Sequence, residues 1–350
     1  MNIIKTSTEN SHFRSKGFLI VNYPGVGDAI MSYLIIRSIL STLKDNDIII
    51  TYPQNALFEC QGFYKTFSLP KNLIFFNPRW YKFNKSDWDE IVYFMKKENI
   101  GTIINLQNEG RLYDKNYYQF KNAFLKDFNF WDLDFSKIYE RKEKRHIIDD
   151  MKDMLSSHHI PWQFPVVGLT RRNKGIVFYV GGSEKNKRWS PEQWIYVIRM
   201  ISATYKNEKI FILTGKSKSE MKEIGFISKN LKSIQNVCLF PKNTLNENIK
   251  ILKSAKLLIS HDTYSIHLSS LLSVPTVGIY ISTDPVIWGS YNNPHFTYIS
   301  SAIKCKNEKN GCGNCIHFHT SCPDIEKMRN SIDENLVVST IKNAIKKLKK

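Results

Sequence analysis

The chain has 350 residues, enough for two domains of ordinary size, and it is 42% hydrophobic, 13% aromatic and 23% charged. This composition excludes a disordered chain, a collagen and a coiled coil. The net charge of +18 rests on 39 Lys and 11 Arg, and this lysine-rich excess favours an anionic partner such as a nucleotide, a phosphorylated glycolipid or a membrane surface. The alternative is that the lysines only form a solvated surface. A nucleic-acid partner is the least favoured reading, because arginine is scarce.

The first residues contain no apolar segment typical of a signal peptide, so we expect a soluble intracellular protein. The longest stretch without charged residues, 263–283, is interrupted by hydroxyl residues and Pro275. It therefore favours a buried core over a membrane span.

Strand-length apolar runs alternate with segments of helical period along the first half. Strands are predicted at 17–22, 47–52, 73–76 and 102–106. Helices are predicted at 28–43 and 87–97, and the stretch 117–159 reads as mostly helical. The proline-containing segment 160–173 has no clear period and indicates a linker.

A second series follows the linker. Its strands are predicted at 176–180, 209–213, 257–261 and 276–281, and its helices at 191–206, 217–231, 246–254 and 265–272. Strands joined by crossover helices form parallel sheets. We therefore predict two doubly wound α/β domains with a ligand cleft at the carboxyl ends of their strands. The predicted units are 1–165, 166–325 and a terminal helix within 326–350.

Three segments between a strand and a helix carry candidate chemistry. In the first, Gly25 and Gly27 form a turn before Asp28, which is either a helix N-cap or a general base. The incomplete glycine pattern argues against a dinucleotide fingerprint.

The second segment, 180–192, contains Gly182 and Ser183 and, after them, Lys185, Lys187 and Arg188. Small residues and positive charge before a helix favour phosphate binding. A plain basic surface loop is the alternative.

The third segment, 260–268, ends a strand and opens a helix. Asp262 and Thr263 are placed to cap that helix and to bind hydroxyls, whereas His267 is either a buried core histidine or part of the site. A Ser-His-Asp hydrolase is disfavoured because the nucleophile elbow is absent.

Several motifs match one family in order and spacing between about residues 17 and 291. They are Gly27-Asp28, Gly181-Gly182-Ser183, Lys187-Arg188-Trp189-Ser190-Pro191-Glu192, Leu213-Thr214-Gly215, Asp262-Thr263 with His267, Pro275-Thr276 and Asp284-Pro285 with Trp288. Together they resemble glycosyltransferase family 9, the lipopolysaccharide heptosyltransferases. Tyr264 stands where that family usually has Gly.

The resemblance implies a GT-B fold, with an acceptor-binding N-terminal domain and a nucleotide-sugar-binding C-terminal domain. It implies an inverting transfer without a catalytic metal, in which Asp28 is the base and Gly25 and Gly27 lie on the acceptor side. It also implies the donor-binding residues, which are Gly182, Ser183, Lys187, Thr214, Gly215, Asp262, Thr263 and His267.

The partners follow from the same resemblance. The expected donor is ADP-heptose, and the expected acceptor is an anionic glycan, a glycolipid or a protein, with the enzyme at the cytoplasmic face of an inner membrane. A non-enzymatic nucleotide- or nucleic-acid-binding protein with a zinc knuckle is the alternative class. Asp28 distinguishes the two, since a binding module needs no carboxylate in the cleft.

Four cysteines lie within the segment 305–322, namely Cys305, Cys312, Cys315 and Cys322. Their spacing is typical of a tetrahedral site for Zn or Fe, and a fortuitous run of thiols is the alternative. The cluster resembles the structural, iron-binding cysteine finger of the autotransporter heptosyltransferases, a branch of the same family, although its spacers are shorter.

The last predicted helix, 335–350, has an apolar face and lysines at its end. By the GT-B resemblance, its apolar face is expected to pack back on the N-terminal domain. The terminal lysines are either solvated or attracted to anionic lipid.

Overall fold

The computed structural model describes the residues 17–22, 25–42, 48–52, 55–58, 60–67, 73–75, 85–106, 121–122, 125, 127–133, 143–165, 175–240, 243–303 and 322–348.

The first half forms a five-stranded parallel sheet. Its strands are β1 (Gly17–Val21), β2 (Ile48–Tyr52), β3 (Leu73–Phe75), β4 (Ile100–Asn105) and β5 (Asn129–Asp132). Their order is β3-β2-β1-β4-β5, with the fully buried β1 in the centre. The helices described in this half are α1 (Val26–Leu40), α2 (Asn55–Phe58), α3 (Gln61–Phe67), α4 (Lys85–Lys97) and α5 (Ile147–Ser157).

The second half forms a six-stranded parallel sheet. Its strands are β6 (Ile176–Tyr179), β7 (Ile210–Leu213), β8 (Val237–Phe240), β9 (Leu257–His261), β10 (Thr276–Tyr280) and β11 (Phe296–Ser300). Their order is β11-β10-β9-β6-β7-β8. The helices are α6 (Pro191–Thr204), α7 (Lys218–Leu231), α8 (Leu245–Lys253), α9 (Tyr264–Leu271), α10 (Pro285–Trp288), α11 (Ile325–Asn330) and α12 (Glu334–Lys347).

Eight predicted strands are confirmed with small shifts at their ends, but three further strands were missed. β5, β8 and β11 are all edge strands of four or five residues. Most positions of these three strands are half-buried or exposed, so they lack the pattern of buried positions that marks a strand in the sequence. The prediction that 117–159 is mostly helical is wrong at β5, whereas α5 within the same stretch is confirmed.

The two halves pack closely where their helices meet. α1 lies against α9, and α3 lies against α8. One apolar core extends across this contact, since it includes Ile30 and Ile35 of α1 together with Leu268 and Leu271 of α9. The carboxyl ends of β1 and β9 are therefore held near each other.

The prediction that the last helix packs back on the N-terminal domain is wrong. The apolar face of α12 packs on α6, β9 and β10, all in the second half. Val337, Ile341 and Ile345 join the core of that half. An apolar stripe requires that a helix be covered, but it does not specify the partner, and here α6 offers a matching apolar face.

Across the described part of the chain, no helix combines the length and the apolar composition that a membrane crossing requires.

Candidate active site

The first turns of α1 and α9 face each other where the two halves meet. A Cβ placed on Gly27 would lie 3.3 Å from Cδ2 of His267 and 3.7 Å from the Cα of Tyr264. Each helix follows a buried strand, so both N-termini lie at the carboxyl edge of a sheet, where ligands bind in α/β folds. This contact brings the predicted base and the predicted donor residues into one region.

Asp28 lies in the first turn of α1, whose N-cap is Gly25. The alternative that Asp28 is itself the N-cap is therefore wrong. Its carboxylate folds over Gly25, where a Cβ would lie 2.3 Å from Oδ2 of Asp28. Nδ2 of Asn22 donates to the backbone oxygen of Asp28 at 2.9 Å and fixes this turn. Asp28 is half-buried, and its role as the base stays a prediction.

The loops that follow β6 and β7 are packed so tightly that Gly181 and Gly215 have no room for a side chain. A Cβ on Gly181 would lie 2.6 Å from the backbone N of Gly215, and one on Gly215 would lie 2.3 Å from Oε1 of Glu220. The buried Glu220 carboxylate accepts a hydrogen bond of 2.7 Å from the backbone N–H of Gly182. Thr214 lies at the same contact between the two loops, because its Oγ1 would be 2.8 Å from a Cβ on Gly181.

Alanine at Gly215 is expected to lower the free energy of unfolding by about 1–3 kcal/mol, because the added Cβ would displace the buried Glu220 carboxylate. Gly225→Ala is the matched control. No atom lies within 4 Å of a Cβ at that position of α7, so alanine should stabilise the helix. The expected gain is about 0.5–1 kcal/mol. Urea unfolding measures both values, and a Gly215→Ala protein as stable as wild type would contradict this packing.

Lys187 and Asp262 form an ion pair at the end of β9. Nζ of Lys187 lies 2.9 Å from Oδ2 of Asp262, and the Asp262 side chain is 3% exposed. Burial by itself raises the pKa of this carboxyl, but the charge of Lys187 and the nearby His267 outweigh burial, so the net pKa is lowered. Asp262 is therefore an anion at neutral pH, and Lys187 is held beside it.

His267 is buried within α9, near both Asp262 and the first turn of α1. Burial lowers its pKa to about 4, although the charge of Asp262 acts in the opposite direction. The imidazole is therefore neutral at neutral pH. His267 lies between the two halves, and its role in supporting the donor residues stays a prediction.

Hydroxyl groups gather at the start of α9, beside the glycine loop. Thr263 is the N-cap, and its Cγ2 would lie 3.2 Å from a Cβ on Gly182. Its hydroxyl lies 2.8 Å from Oγ of Ser265, which lies 2.6 Å from Oγ of Ser260. The backbone N–H groups of a helix start attract phosphate. Ser183 is exposed at the rim of this region.

The prediction that Arg188 supplies charge to a phosphate is wrong. Arg188 is buried, and its guanidinium donates to Glu223 at 3.0 Å and to Ser219 at 3.1 Å. Both partners lie on α7, and the pairing satisfies a charge that burial would otherwise penalise. The predicted phosphate-binding charge is thereby left to Lys187 and to the exposed Lys185, and this role stays a prediction.

Sequence reasoning missed Glu220 and Arg329, which fix the loop geometry. Glu220 is signalled by its position three residues after Ser217, the spacing of a capping box that the structure contains. Arg329 of α11 donates from Nε to the carbonyl oxygen of Arg188 at 2.7 Å and from Nη2 to that of Lys185 at 2.6 Å. No local pattern links residues so far apart in sequence.

His146 also escaped the sequence analysis, although it joins the two halves. The backbone N–H of Ile148 donates to its Nδ1, so Nε2 carries the proton and donates to the carbonyl oxygen of Gly289 at 3.0 Å. Burial lowers the pKa of this imidazole. Nearby, the hydroxyl of Tyr291 donates to Oδ1 of Asp149 at 2.7 Å. These contacts hold the start of α5 against the loop that follows α10.

The predicted metal site falls mostly outside the described residues, since Cys305, Cys312 and Cys315 all lie there. Cys322 is described, and it is buried in the core of the second half. Within the described ranges, no three His, Cys, Asp or Glu side chains are grouped as metal ligands would be. The four-cysteine site stays a prediction.

The sequence profile described as Glycosyltransferase family 9 (heptosyltransferase) matches residues 136–315, which is more than half of the chain. The chain belongs to glycosyltransferase family 9. The resemblance indicated by its motifs is thereby confirmed.

Known members of the family match this family 9 chain to different extents. Lipopolysaccharide heptosyltransferase 1 of Campylobacter coli is 31% identical over 140 residues, which are 39% of this chain and 38% of that relative. The match thus spans well under half of the relative's length.

Solved structures match nearly the whole chain. The E. coli heptosyltransferase WaaC with ADP gives a TM-score of 0.58 at 16% identity, over 94% of this chain and 99% of that chain. The dodecameric iron-containing heptosyltransferase TibC of enterotoxigenic E. coli, in complex with ADP-D-beta-D-heptose, gives a TM-score of 0.54 at 11% identity. That match covers 95% of this chain and 77% of the TibC chain. At these identities the likeness shows the fold, and the predicted GT-B fold is confirmed.

Proposed function

We propose that this family 9 protein transfers a heptose or a related sugar from an ADP-activated donor to a hydroxyl of a lipopolysaccharide core or another glycan, with inversion at the anomeric carbon. One observation carries the proposal. The Lys187–Asp262 pair and the first turn of α1 meet through His267 and Gly27. Family membership and the named relatives support the choice of heptose and ADP.

The donor side follows from the charges at the end of β9. Lys187 and the helix start after Thr263 meet the negative charge of the diphosphate. Gly182 allows the chain to approach the phosphates closely, and Ser183 donates its hydroxyl. The Asp262 carboxylate orients Lys187 and accepts a hydrogen bond from a sugar hydroxyl.

The acceptor side follows from the first turn of α1. Asp28 takes the proton of the acceptor hydroxyl while the oxygen of that hydroxyl attacks the anomeric carbon of the donor sugar. The bond between that carbon and the phosphate oxygen breaks, and ADP leaves with both electrons of the bond. Lys187 stabilises the charge that develops on the leaving oxygen, so the chemical step is assigned no metal cofactor.

A thermal-shift screen of nucleotide-sugars tests the proposal, because a ligand stabilises the folded protein in proportion to its occupancy. We expect ADP-heptose and ADP to raise the melting temperature, and UDP-sugars to have smaller effects. Salt-sensitive retention of RNA, together with no transfer from any nucleotide-sugar, would contradict the proposal. That result would favour a non-enzymatic nucleic-acid-binding protein.

A second candidate acceptor is a protein, as in the autotransporter branch of the family. The four-cysteine cluster favours this alternative, and the fold is shared with the iron-containing TibC. Mass spectrometry of candidate acceptors after incubation with donor and enzyme distinguishes a modified protein from a modified glycan.

Protein purified without oxygen is expected to carry about one Zn or Fe per chain, because clustered thiolates favour these metals. Elemental analysis measures the content. Cys315→Ser should lower it, whereas Cys238→Ser, outside the cluster and on β8, should leave it unchanged. A wild-type protein without metal would contradict the predicted site.

We also propose that the enzyme acts in the cytoplasm, beside anionic lipid of the inner membrane. Lys346 and Lys347 are exposed at the end of α12, and Lys349 and Lys350 follow outside the described residues. Each lysine near such a surface contributes roughly 1 kcal/mol. We expect salt-sensitive co-sedimentation with anionic liposomes that is lost when these four lysines are changed to Gln. Equal sedimentation of both proteins would contradict the proposal.

A further inference from the structure

His261 is a fully buried residue that no motif assigned to the site. It ends β9, immediately before Asp262, and its exposure is 0%. Its ring packs edge-to-face against Trp194, with centroids 4.8 Å apart. A buried imidazole in an apolar core must satisfy both of its nitrogens.

Both nitrogens of His261 have partners, and the partners fix its tautomer. The backbone N–H of Trp189 donates to Nε2 at 2.8 Å, and the indole Nε1–H of Trp194 donates to the same atom at 2.9 Å. Nε2 is therefore an acceptor without a proton. Nδ1 must carry the proton, and it donates to the carbonyl oxygen of Gly181 at 3.3 Å.

The charge state of this ring follows from its surroundings. Burial, together with the charges of nearby Arg188 and Arg329, lowers the pKa of His261 to about 3, although the hydrogen bond to Gly181 and the charge of Asp262 act in the opposite direction. The imidazole is thus neutral over the whole range in which enzymes of this kind are assayed. Its hydrogen-bonding pattern does not change with pH there.

The partners of His261 belong to the segments that form the proposed donor site. Gly181 precedes Gly182 in the glycine loop, and Trp189 closes the loop that carries Lys187. Asp262, the partner of Lys187, is its covalent neighbour. Arg329 holds the same lysine loop from α11, through the backbone oxygens of Lys185 and Arg188. One neutral ring thus connects the ends of β6 and β9 with the loop between β6 and α6.

We propose that His261 is a positioning residue of the donor site, which sets the place of Lys187 and the glycine loop relative to Asp262. The expected effect of His261 on catalysis rests on the proposed function. The hydrogen bonds by which it holds the loop in place do not depend on that function. An apolar side chain of similar size would fill the same space and lose three hydrogen bonds.

Two substitutions separate positioning from simple filling of the core. His261→Gln keeps an acceptor oxygen with two lone pairs for the two tryptophan N–H groups, whereas His261→Leu keeps the volume alone. With ADP as the probe, we expect roughly tenfold weaker binding by the Leu variant and a change within about threefold for the Gln variant. In turnover, KM for the donor should rise in the Leu variant more than kcat falls.

Backbone resonances give a readout that needs no ligand. In the Leu variant, the amide signals of Gly182 and Lys187 should shift, and in the Gln variant they should stay close to wild type. The indole N–H signal of Trp194 in the wild type should be constant between about pH 5 and pH 9.

The outcomes separate the two claims. A wild-type protein that binds neither ADP nor ADP-heptose contradicts the proposed function, and the amide shifts then decide the role of His261 by themselves. Unshifted amides in the Leu variant, or equal ADP affinity in Leu, Gln and wild-type proteins, would overturn the inference.

Discussion

Replacing Asp28 with Asn is expected to slow sugar transfer by a factor of about 10²–10⁴, because the amide cannot take the proton of the acceptor hydroxyl. The substitution preserves the shape of the side chain, which folds over Gly25 in the first turn of α1. Donor affinity should stay nearly unchanged, since the proposed donor residues lie at the ends of β6, β7 and β9. Initial rates at saturating donor, together with calorimetric titration of ADP, measure the two quantities.

Asp89→Asn is the matched control for this prediction. Asp89 is exposed on α4, so its loss should leave the rate within experimental error of wild type. If the Asp28→Asn protein keeps near-wild-type turnover, the carboxylate has a structural role in the helix start and the base lies elsewhere.

Replacing Lys187 with Met should have the second largest effect, because it leaves the buried carboxylate of Asp262 without its ion-pair partner. Breaking a buried pair in this way typically lowers the free energy of unfolding by about 3 kcal/mol or more. ADP binding should weaken as well, since Lys187 is assigned the charge of the diphosphate. Lys222→Met, an exposed lysine on α7, is the control and should change neither property.

The stability difference between wild type and the Lys187→Met protein should depend on pH in a definite direction. In the wild type, folding lowers the pKa of the Asp262 carboxyl. Its contribution to the free energy of unfolding is therefore complete above its pKa in the unfolded chain, which is near 4, and disappears as the pH falls through its pKa in the folded protein. Without Lys187, burial would raise the pKa of Asp262, and protonation would relieve the penalty. The difference in unfolding free energy between the two proteins should therefore shrink from pH 7 towards pH 4. A difference that is constant with pH would contradict the role of this pair.

The central elements of the fold could be predicted because they are long and buried. β1 and β9 are continuous buried apolar runs of strand length, and the helices that follow them are buried along most of their length, so the order of these elements follows from the sequence. The edge strands β5, β8 and β11 could not be found, because half-exposed strands of four or five residues carry little pattern. The partner of α12 was misjudged because its apolar stripe fits α6 as well as any other surface.

The candidate site could be predicted where each residue follows a strand end, as Asp28, Lys187 and Asp262 do. Sequence did not reveal that Arg188 is paired with side chains of α7 and that Lys187 is paired with Asp262. It also did not reveal His261 as a connector, since its partners lie 67 to 80 positions away. Such pairs are set by how the crossover helices stack the strand ends, and no local pattern records them.

The most direct test of the proposed activity is a transfer reaction with ADP-heptose and a phosphorylated lipopolysaccharide core, in which NMR determines the anomeric configuration of the new bond. We expect release of ADP and a product whose configuration is opposite to that of the donor, with the rate lost in the Asp28→Asn protein. A product that retains the donor's configuration would contradict the direct displacement by an activated hydroxyl proposed for this cleft. The absence of transfer to any glycan or protein acceptor, from any nucleotide-sugar, would contradict the proposed activity as a whole.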